Sequence, residues 1–284
     1  MKKFILLFYF FIISGAFSQT LKFEKSLANF KNATSFDIDL NGNIYVADLN
    51  DNTIYKIDSL GNILNSIGGY GWEESTFDAP VDVFTNTLSV YVADKNNNRV
   101  QRFDKDLNFL SQYSGSSENS NNIEFGYPTC VAISSISDLF ILDSDNSRIL
   151  KFNLEGNFIL EVGGNDAGEF SVSNPFYFST DNLGNLYVLD DDNIKIFDQY
   201  GSGLLFFRPI LKANKININN NKLLVFNKTE IAIYDLKENK LIYHKNTVPN
   251  LIKNDFIVDA ELHNNVLFVL SQKRIYKYHF NYNK

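Results

Sequence analysis

Cysteine occurs once in this 284-residue chain, tryptophan once and histidine three times. A single cysteine excludes an internal disulfide, so packing alone must hold the fold. Cys130 lies in an apolar run, where a thiol is expected to be buried and inert rather than a nucleophile. Basic residues are also in short supply, 26 Lys and Arg against 33 Asp and Glu. That balance argues against nucleic acid or an anionic membrane as the main partner. There is no Gly-x-Ser-x-Gly, no Cys-x-x-Cys and no phosphate-cradling loop, so no cofactor and no nucleophilic triad are expected. After the first 18 residues no stretch is long and apolar enough to cross a membrane.

Those first residues read as a secretory signal, residues 1–18. Lys2 and Lys3 precede the apolar run Phe4 to Ile13, and Ala16-Phe17-Ser18 places small residues at −3 and −1. No cysteine follows for lipid attachment. Cleavage before Gln19 predicts an exported chain, periplasmic or extracellular, with no stable membrane insertion. Without Lys2 and Lys3 it has 24 basic and 33 acidic residues, a formal charge of −9. The charge is uneven: −15 from Gln19 to Pro209 and +6 from Ile210 to Lys284, a lateral dipole suited to orienting a partner.

What the chain has in abundance is one repeated layout. An apolar run ends in Asp, a polar turn follows, and a second apolar run begins. It appears as Tyr45-Val46-Ala47-Asp48 before Ile54, as Tyr91-Val92-Ala93-Asp94 before Val100, as Phe140 to Asp143 before Ile149, and as Tyr187 to Asp190 before Ile194. The repeat Asp advances by 46, 49 and 47 residues; Asn227 and Ser271 take its place after further steps of 37 and 44. Within a unit, alternating strands such as Ser35 to Ile38 are punctuated by Asn41-Gly42 and Leu60-Gly61-Asn62, which predicts a four-stranded antiparallel meander. Units of 40 to 50 residues with four strands each indicate a β-propeller, because one such sheet cannot bury both faces alone.

Six units are counted, and the sixth runs out of chain after its third strand. Lys22 to Phe30 has the length and alternation to supply the missing strand. The expected architecture is therefore an all-β, six-bladed propeller over residues 19–284, with the ring closed by the N-terminal strand so that no edge is left open.

The string Asp-x-x-Asn-x-Arg followed by a β-branched residue and an aromatic, at Asp94 to Phe103 and Asp143 to Phe152, resembles the NHL repeat; so does the connection Gly69, Gly71, Phe77, Pro80. The likeness runs from residue 33 to 209. It implies six blades, a scaffold role for Asp94 with Arg99 and Asp143 with Arg148, and no particular activity, since this family covers protein binding, RNA binding, sensing and a few lyases. The competing reading of Asp143-Ser144-Asp145-Asn146 as a calcium loop lacks the later bidentate Glu.

Aligning the first strands places Ser35, Asp82, Cys130, Tyr177, Lys215 and Asp259 at one equivalent channel position, taken to be the mouth at which those strands begin. Asp82 and Asp259 flank Ser35 on adjacent blades without a third ligand, so no metal site is expected. Propeller lyases of the streptogramin or peptide-amidating type need histidines on inner strands. Here His263 is expected in a turn and His279 just past a strand, and with His244 they read as solvated or structural. Trp72, in the loop Gly71-Trp72-Glu73-Glu74, has no obvious core to fill and suits a binding anchor. The expected function is a non-catalytic scaffold that presents its loops to a protein, peptide or glycan of the cell envelope, with Trp72, Asp82, Tyr177, Lys215 and Asp259 as candidate ligand-binding residues. A metal-dependent hydrolase or lyase of lactonase-like type is the alternative.

Overall fold

The computed structural model describes residues 20–114, 123–134, 136–252 and 255–281; the expected signal peptide lies outside them. The fold is all-β, six four-stranded antiparallel sheets arranged as a propeller. The inner strands are Ala33–Ile38, Pro80–Thr85, Pro128–Ile133, Pro175–Thr180, Lys215–Asn219 and Asp259–His263, for blades 1 to 6 in order. Among the described residues, no helix is long and apolar enough to cross a membrane.

Local chemistry explains the hairpins of the first four blades. In blade 1, Asp39 Oδ1 accepts from the backbone N–H of Asn41 and of Asn43, both at 2.9 Å, while Gly42 takes a positive φ. Asp58, Asp104, Asp181 and Asp198 repeat this carboxylate-capped turn. One short side chain thus satisfies two donors that a tight turn would otherwise leave open. Blades 5 and 6 instead turn on two residues, Asn220-Asn221 and Asn264-Asn265. Asn220 and Asn221 both adopt positive φ, the conformation of the tight hairpin.

The core is distributed among the blade interfaces. Tyr45, Ala47 and Ile54 of blade 1 pack on Val83, Val92 and Phe103 of blade 2. Leu224, Phe226 and Ile233 of blade 5 pack on Ala260, Val269 and Tyr278 of blade 6. Each sheet therefore buries both faces only because it has a neighbour on both sides, which is the reason for the ring.

Closure occurs where the sequence places it. Thr20–Leu27 pairs antiparallel with Ile275–Asn281, from Thr20 opposite Asn281 to Leu27 opposite Ile275. The strand ends three residues earlier than expected. Beyond it Phe30 N and Ala33 N donate to the carbonyls of Lys273 and Gln272, so backbone pairing guides the chain from blade 6 to blade 1. Leu27 is buried in the cluster joining those two blades.

The repeat Asp ties each blade to the connection that enters it. Asp94, fully buried, accepts from Asp78 N at 2.8 Å, Asn97 Nδ2 at 2.8 Å and Arg99 Nε at 2.8 Å. Arg99 does not fork onto the carboxylate. Its two terminal nitrogens grip the loop, donating to the carbonyls of Trp72 at 2.7 Å and Thr76 at 2.9 Å. Asp143 with Arg148 repeats the arrangement on Gly126 N and Glu124 O. Asp143 also accepts from Asn146 Nδ2 at 2.9 Å.

Candidate functional site in the central channel

Inner strands present alternate side chains to the channel. In the first four blades a bulge near the start of the inner strand resets this alternation, between Ala33 and Ser35, Pro80 and Asp82, Pro128 and Val131, and Pro175 and Tyr177. Bulges of this kind re-aim side chains. Ser35, Asp82, Tyr177, Lys215 and Asp259 then pair with Ala47, Ala93, Leu189, Phe226 and Leu270, each the residue before the repeat Asp or its replacement. The structure thus places these five residues at one level, as the sequence alignment has them.

At that level they form a bonded floor. Ser35 Oγ donates to Asp82 Oδ1 at 2.7 Å, Val131 N to Asp82 Oδ2 at 2.9 Å, and Tyr177 OH reaches Asp82 at 3.4 Å. Lys215 Nζ donates to Asp259 Oδ2 at 2.8 Å and to Thr34 O at 3.1 Å, and lies 4.9 Å from the centre of the Tyr177 ring. Burial pushes the Asp82 carboxyl up to about 6, with Lys215 opposing. Burial works against the Lys215 ammonium, yet Asp259 and Asp82 outweigh it and hold its pKa above the ordinary lysine value. Cys130 is buried, its Sγ donating to Phe178 O at 3.3 Å, and burial pushes its thiol well up, consistent with an inert packing role.

Above the floor is a cavity of about 550 Å³, within the range of small-ligand sites. It opens at the end of the inner strands, among the hairpins that carry Leu40, Asn86, Asn182, Asn220 and Asn264. That is the opposite end from the mouth the sequence suggested. Of the candidate residues, Asp82, Tyr177 and Asp259 reach the cavity and Lys215 lies just beneath it. Trp72 does not. Its loop enters blade 2 at Pro80, whereas the cavity is lined by the other end of that strand, Thr85 to Thr87. Trp72 is 67 % exposed and meets Tyr70 edge-on, 5.9 Å between ring centres.

The residues that sequence reasoning passed over sit one step further along the same strands. Asp37 follows Ser35 by two, Glu261 follows Asp259 by two, and His263 follows by two more; all three line the cavity. His263 is the last residue of its strand, paired with Val266, and is not in the turn itself; His279 likewise lies within a strand. The signal was available: once Asp259 faces the channel, period-two alternation puts Glu261 and His263 there too. Asp37 accepts from Thr85 N at 2.5 Å and Ile38 N at 3.0 Å, and burial, then Glu261, push its carboxyl well above the usual range. Burial pushes Glu261 up to about 8, with Asp259 adding to it and Asp37 hydrogen bonding opposing. His263 Nδ1 lies 3.7 Å from Glu261 Oε1, and neither that nitrogen nor Glu261 Oε2 has a hydrogen-bond partner among the described residues. No group of three or more His, Cys, Asp or Glu side chains disposed to hold a metal ion occurs among those residues.

No family model matches the chain, and no curated protein matches it. Solved structures do. A streptogramin B lyase aligns with a TM-score of 0.61 at 14 % identity, covering 93 % of this chain and 98 % of that one. Selenomethionine-substituted virginiamycin B lyase from Staphylococcus aureus aligns at 0.61 and 12 % identity, over 92 % and 99 %. A catalytically inactive histidine-to-alanine variant of the same lyase, with quinupristin, aligns at 0.60 and 16 % identity, over 87 % and 80 %. At these identities the likeness is one of fold: the chain is similar in architecture to six-bladed propeller lyases.

Proposed function

We propose that the protein is an exported binding module whose central cavity receives a polar group of a peptide or glycan of the cell envelope. The observation that carries this reading is the contrast between two levels of one channel. At the floor, Asp82, Lys215 and Asp259 find partners in one another and in the backbone. One step above, Glu261 Oε2 and His263 Nδ1 are buried without partners. A buried acceptor left unmade costs about 1–3 kcal/mol, and such groups at the wall of a cavity await a ligand that completes them. The signal sequence read at residues 1–18 is the support for export.

The test is to fill the cavity. Ser179 lines it, and Ser179→Phe places a ring in the space a ligand would take. Soluble muropeptides and oligosaccharides are titrated into the folded wild type and variant by calorimetry. Binding to the wild type that the variant loses supports the reading; binding that the variant retains, at equal melting temperature, sinks it.

A second reading, an acid–base lyase or hydrolase, is favoured by one arrangement: His263 beside a Glu261 whose raised pKa suits general acid–base work near neutrality. Among the described residues no group of three or more His, Cys, Asp or Glu side chains is disposed to hold a metal ion. Turnover of the bound ligand, abolished by His263→Ala with binding retained, would favour this reading over the first.

A further inference from the structure

Apart from His263, the titratable side chains that line the cavity are carboxyls and the Tyr177 phenol. Asp37, Asp39, Asp82, Asp181, Asp259 and Glu261 line it, and no Lys or Arg is among the described residues that do. Four of these carboxylates are committed elsewhere. Asp39 and Asp181 cap their own hairpins; Asp82 and Asp259 belong to the floor, where Lys215 sits between them. Asp37, which accepts from the backbone N–H groups of Thr85 and Ile38, and Glu261 remain without a Lys or Arg ion pair among the described residues, facing each other across the junction of blades 1 and 6. Glu261 is only 4 % exposed, and its Oε2 has no partner. The nearest cation above the floor, Lys105, is engaged by Thr85 Oγ1 and sits over the Tyr45 ring.

Resting on the cavity reading above, we propose that the cavity receives a protonated primary amine, seated between Asp37 and Glu261 and carried by the free amino terminus of a peptide or by an amino sugar. An ammonium is a compact group with three donors and no acceptor. It supplies positive charge, which no Lys or Arg of this wall provides, together with hydrogens for Glu261 Oε2. An anionic group would meet six carboxyls and no cation at the cavity wall. Neutral hydroxyls would satisfy the orphan acceptor but leave the charge imbalance in place. The rest of the ligand has Ser179, Asn217 and Asn264 within the same walls.

The proton count follows from the geometry. Around Glu261 stand Asp37 on blade 1, Asp259 and His263 on its own strand, and Lys215 on blade 5, the last already tied to Asp259. With Glu261 holding a proton at neutral pH, entry of an ammonium expels that proton to solvent as the carboxyl ionises against it. No covalent bond changes. Binding therefore tightens as pH rises toward about 8.

Calorimetry on the mature chain tests this with two matched pairs: triglycine against N-acetyl-triglycine, and glucosamine against N-acetylglucosamine. Each is titrated in two buffers of different ionisation enthalpy. The expected result is that the free amine of at least one pair binds about tenfold or more tighter than its acetylated form, with proton release; which pair responds identifies the source. Glu261→Gln, which keeps shape and hydrogen bonding but cannot ionise, is expected to weaken the amine by about tenfold with a melting temperature no lower than the wild type's. Asp37→Asn provides the second variant should the first fold poorly. Equal binding of free and acetylated ligands, no proton release, or no titration by any amine overturns the inference. Acetylated ligand that binds and is blocked by Ser179→Phe leaves the cavity reading standing while the amine falls.

Discussion

Blades 1 to 4 and blades 5 and 6 meet the same requirement, fixing the connection between neighbouring sheets, by different chemistry. In the first group a buried Asp accepts from the incoming loop: Asp48 from Lys31 N and Asn32 N, Asp94 from Asp78 N, Asp143 from Gly126 N, Asp190 from Ser173 N and Asn174 N. In the second group the Asn227 carboxamide oxygen accepts from Thr229 N and Glu230 N of its own hairpin, and its only bond to the incoming loop among the described residues is an exposed one from Nδ2 to Lys212 O at 3.1 Å. The loops are held instead by tyrosine hydroxyls and apolar burial. Tyr234 OH accepts from Ile210 N, Tyr278 OH donates to Pro249 O, and Leu211, Val248 and Ile257 are buried. The difference teaches that the repeat signature is one of two ways to seat a loop, and that blades lacking it are complete blades. It also shows where specialisation went. Lys215, Asn217, Asn219, Glu261 and His263 all come from the two blades that lost the signature.

The sharpest way to break the comparison is at its seam. Blade 6 borrows its outer strand, whereas the others supply their own. Deleting Thr20–Leu27 removes the buried Leu27 and the partly buried Leu21 and Phe23 and exposes the edge of Ile275–Asn281. At about 1.5–3 kcal/mol for each fully buried large side chain, the loss is expected to reach roughly 5 kcal/mol, with aggregation through the open edge. Melting within a degree or two of the intact chain would mean that the ring does not need its closing strand.

A second effect separates the blades by pH. Glu261 titrates near 8 in the folded protein against an ordinary value of 4.5, so the folded state holds a proton the unfolded state has released. Stability from this group is complete below about 4.5 and falls as pH rises through 8, by on the order of a few kcal/mol. Asp82, raised to about 6, adds a slope of the same sign over a lower window. Glu261→Gln is expected to flatten the decline between pH 5 and 8 in a series of thermal melts. An unchanged slope would place the proton elsewhere.

Smaller again is the direct contrast of the two loop devices. Asp94→Ala leaves Arg99 buried without its carboxylate and Asp78 N without its acceptor, an expected loss of about 3 kcal/mol. Asn227→Ala removes turn bonds and one exposed bond to the incoming loop, with no buried charge left behind, an expected loss of about 1 kcal/mol or less. Denaturant midpoints that fall equally for the two variants would erase the distinction between the blade groups.

The sequence carried the strand count, the closing strand and the common level of Asp82, Tyr177, Lys215 and Asp259, because a period of two and a fixed repeat Asp translate directly into register. It did not carry the end at which the cavity opens. The cavity is lined by residues from all six inner strands and their hairpins together, and no single segment encodes that convergence. Asp37 and Glu261 were missed because each appears in the sequence as one polar residue in an ordinary alternation, and His263 because it was placed in the turn rather than at the end of its strand. Only the convergence of blades 1 and 6 makes them neighbours.

Trp72 offers the finest test, because sequence and structure assign it different surroundings. As a loop tryptophan it reads as an anchor for whatever the site binds, yet it stands at the start of blade 2's inner strand and the cavity opens at the finish. Arg99 grips the backbone carbonyl of Trp72 and not its ring, so the loop keeps its shape when the side chain is cut back. The ring itself has one aromatic neighbour, Tyr70, which is equally exposed, and an exposed edge-on pair contributes about 0.5–1.5 kcal/mol at most. Trp72→Ala is therefore expected to lower the melting temperature by no more than a degree or two, in contrast to Asp94→Ala in the same loop system. It is also expected to leave the affinity of a cavity ligand within about twofold, whereas Glu261→Gln reduces it by about tenfold. Loss of cavity-ligand affinity in Trp72→Ala would show that the two ends of the channel act as one site, and the division drawn between them would have to be abandoned.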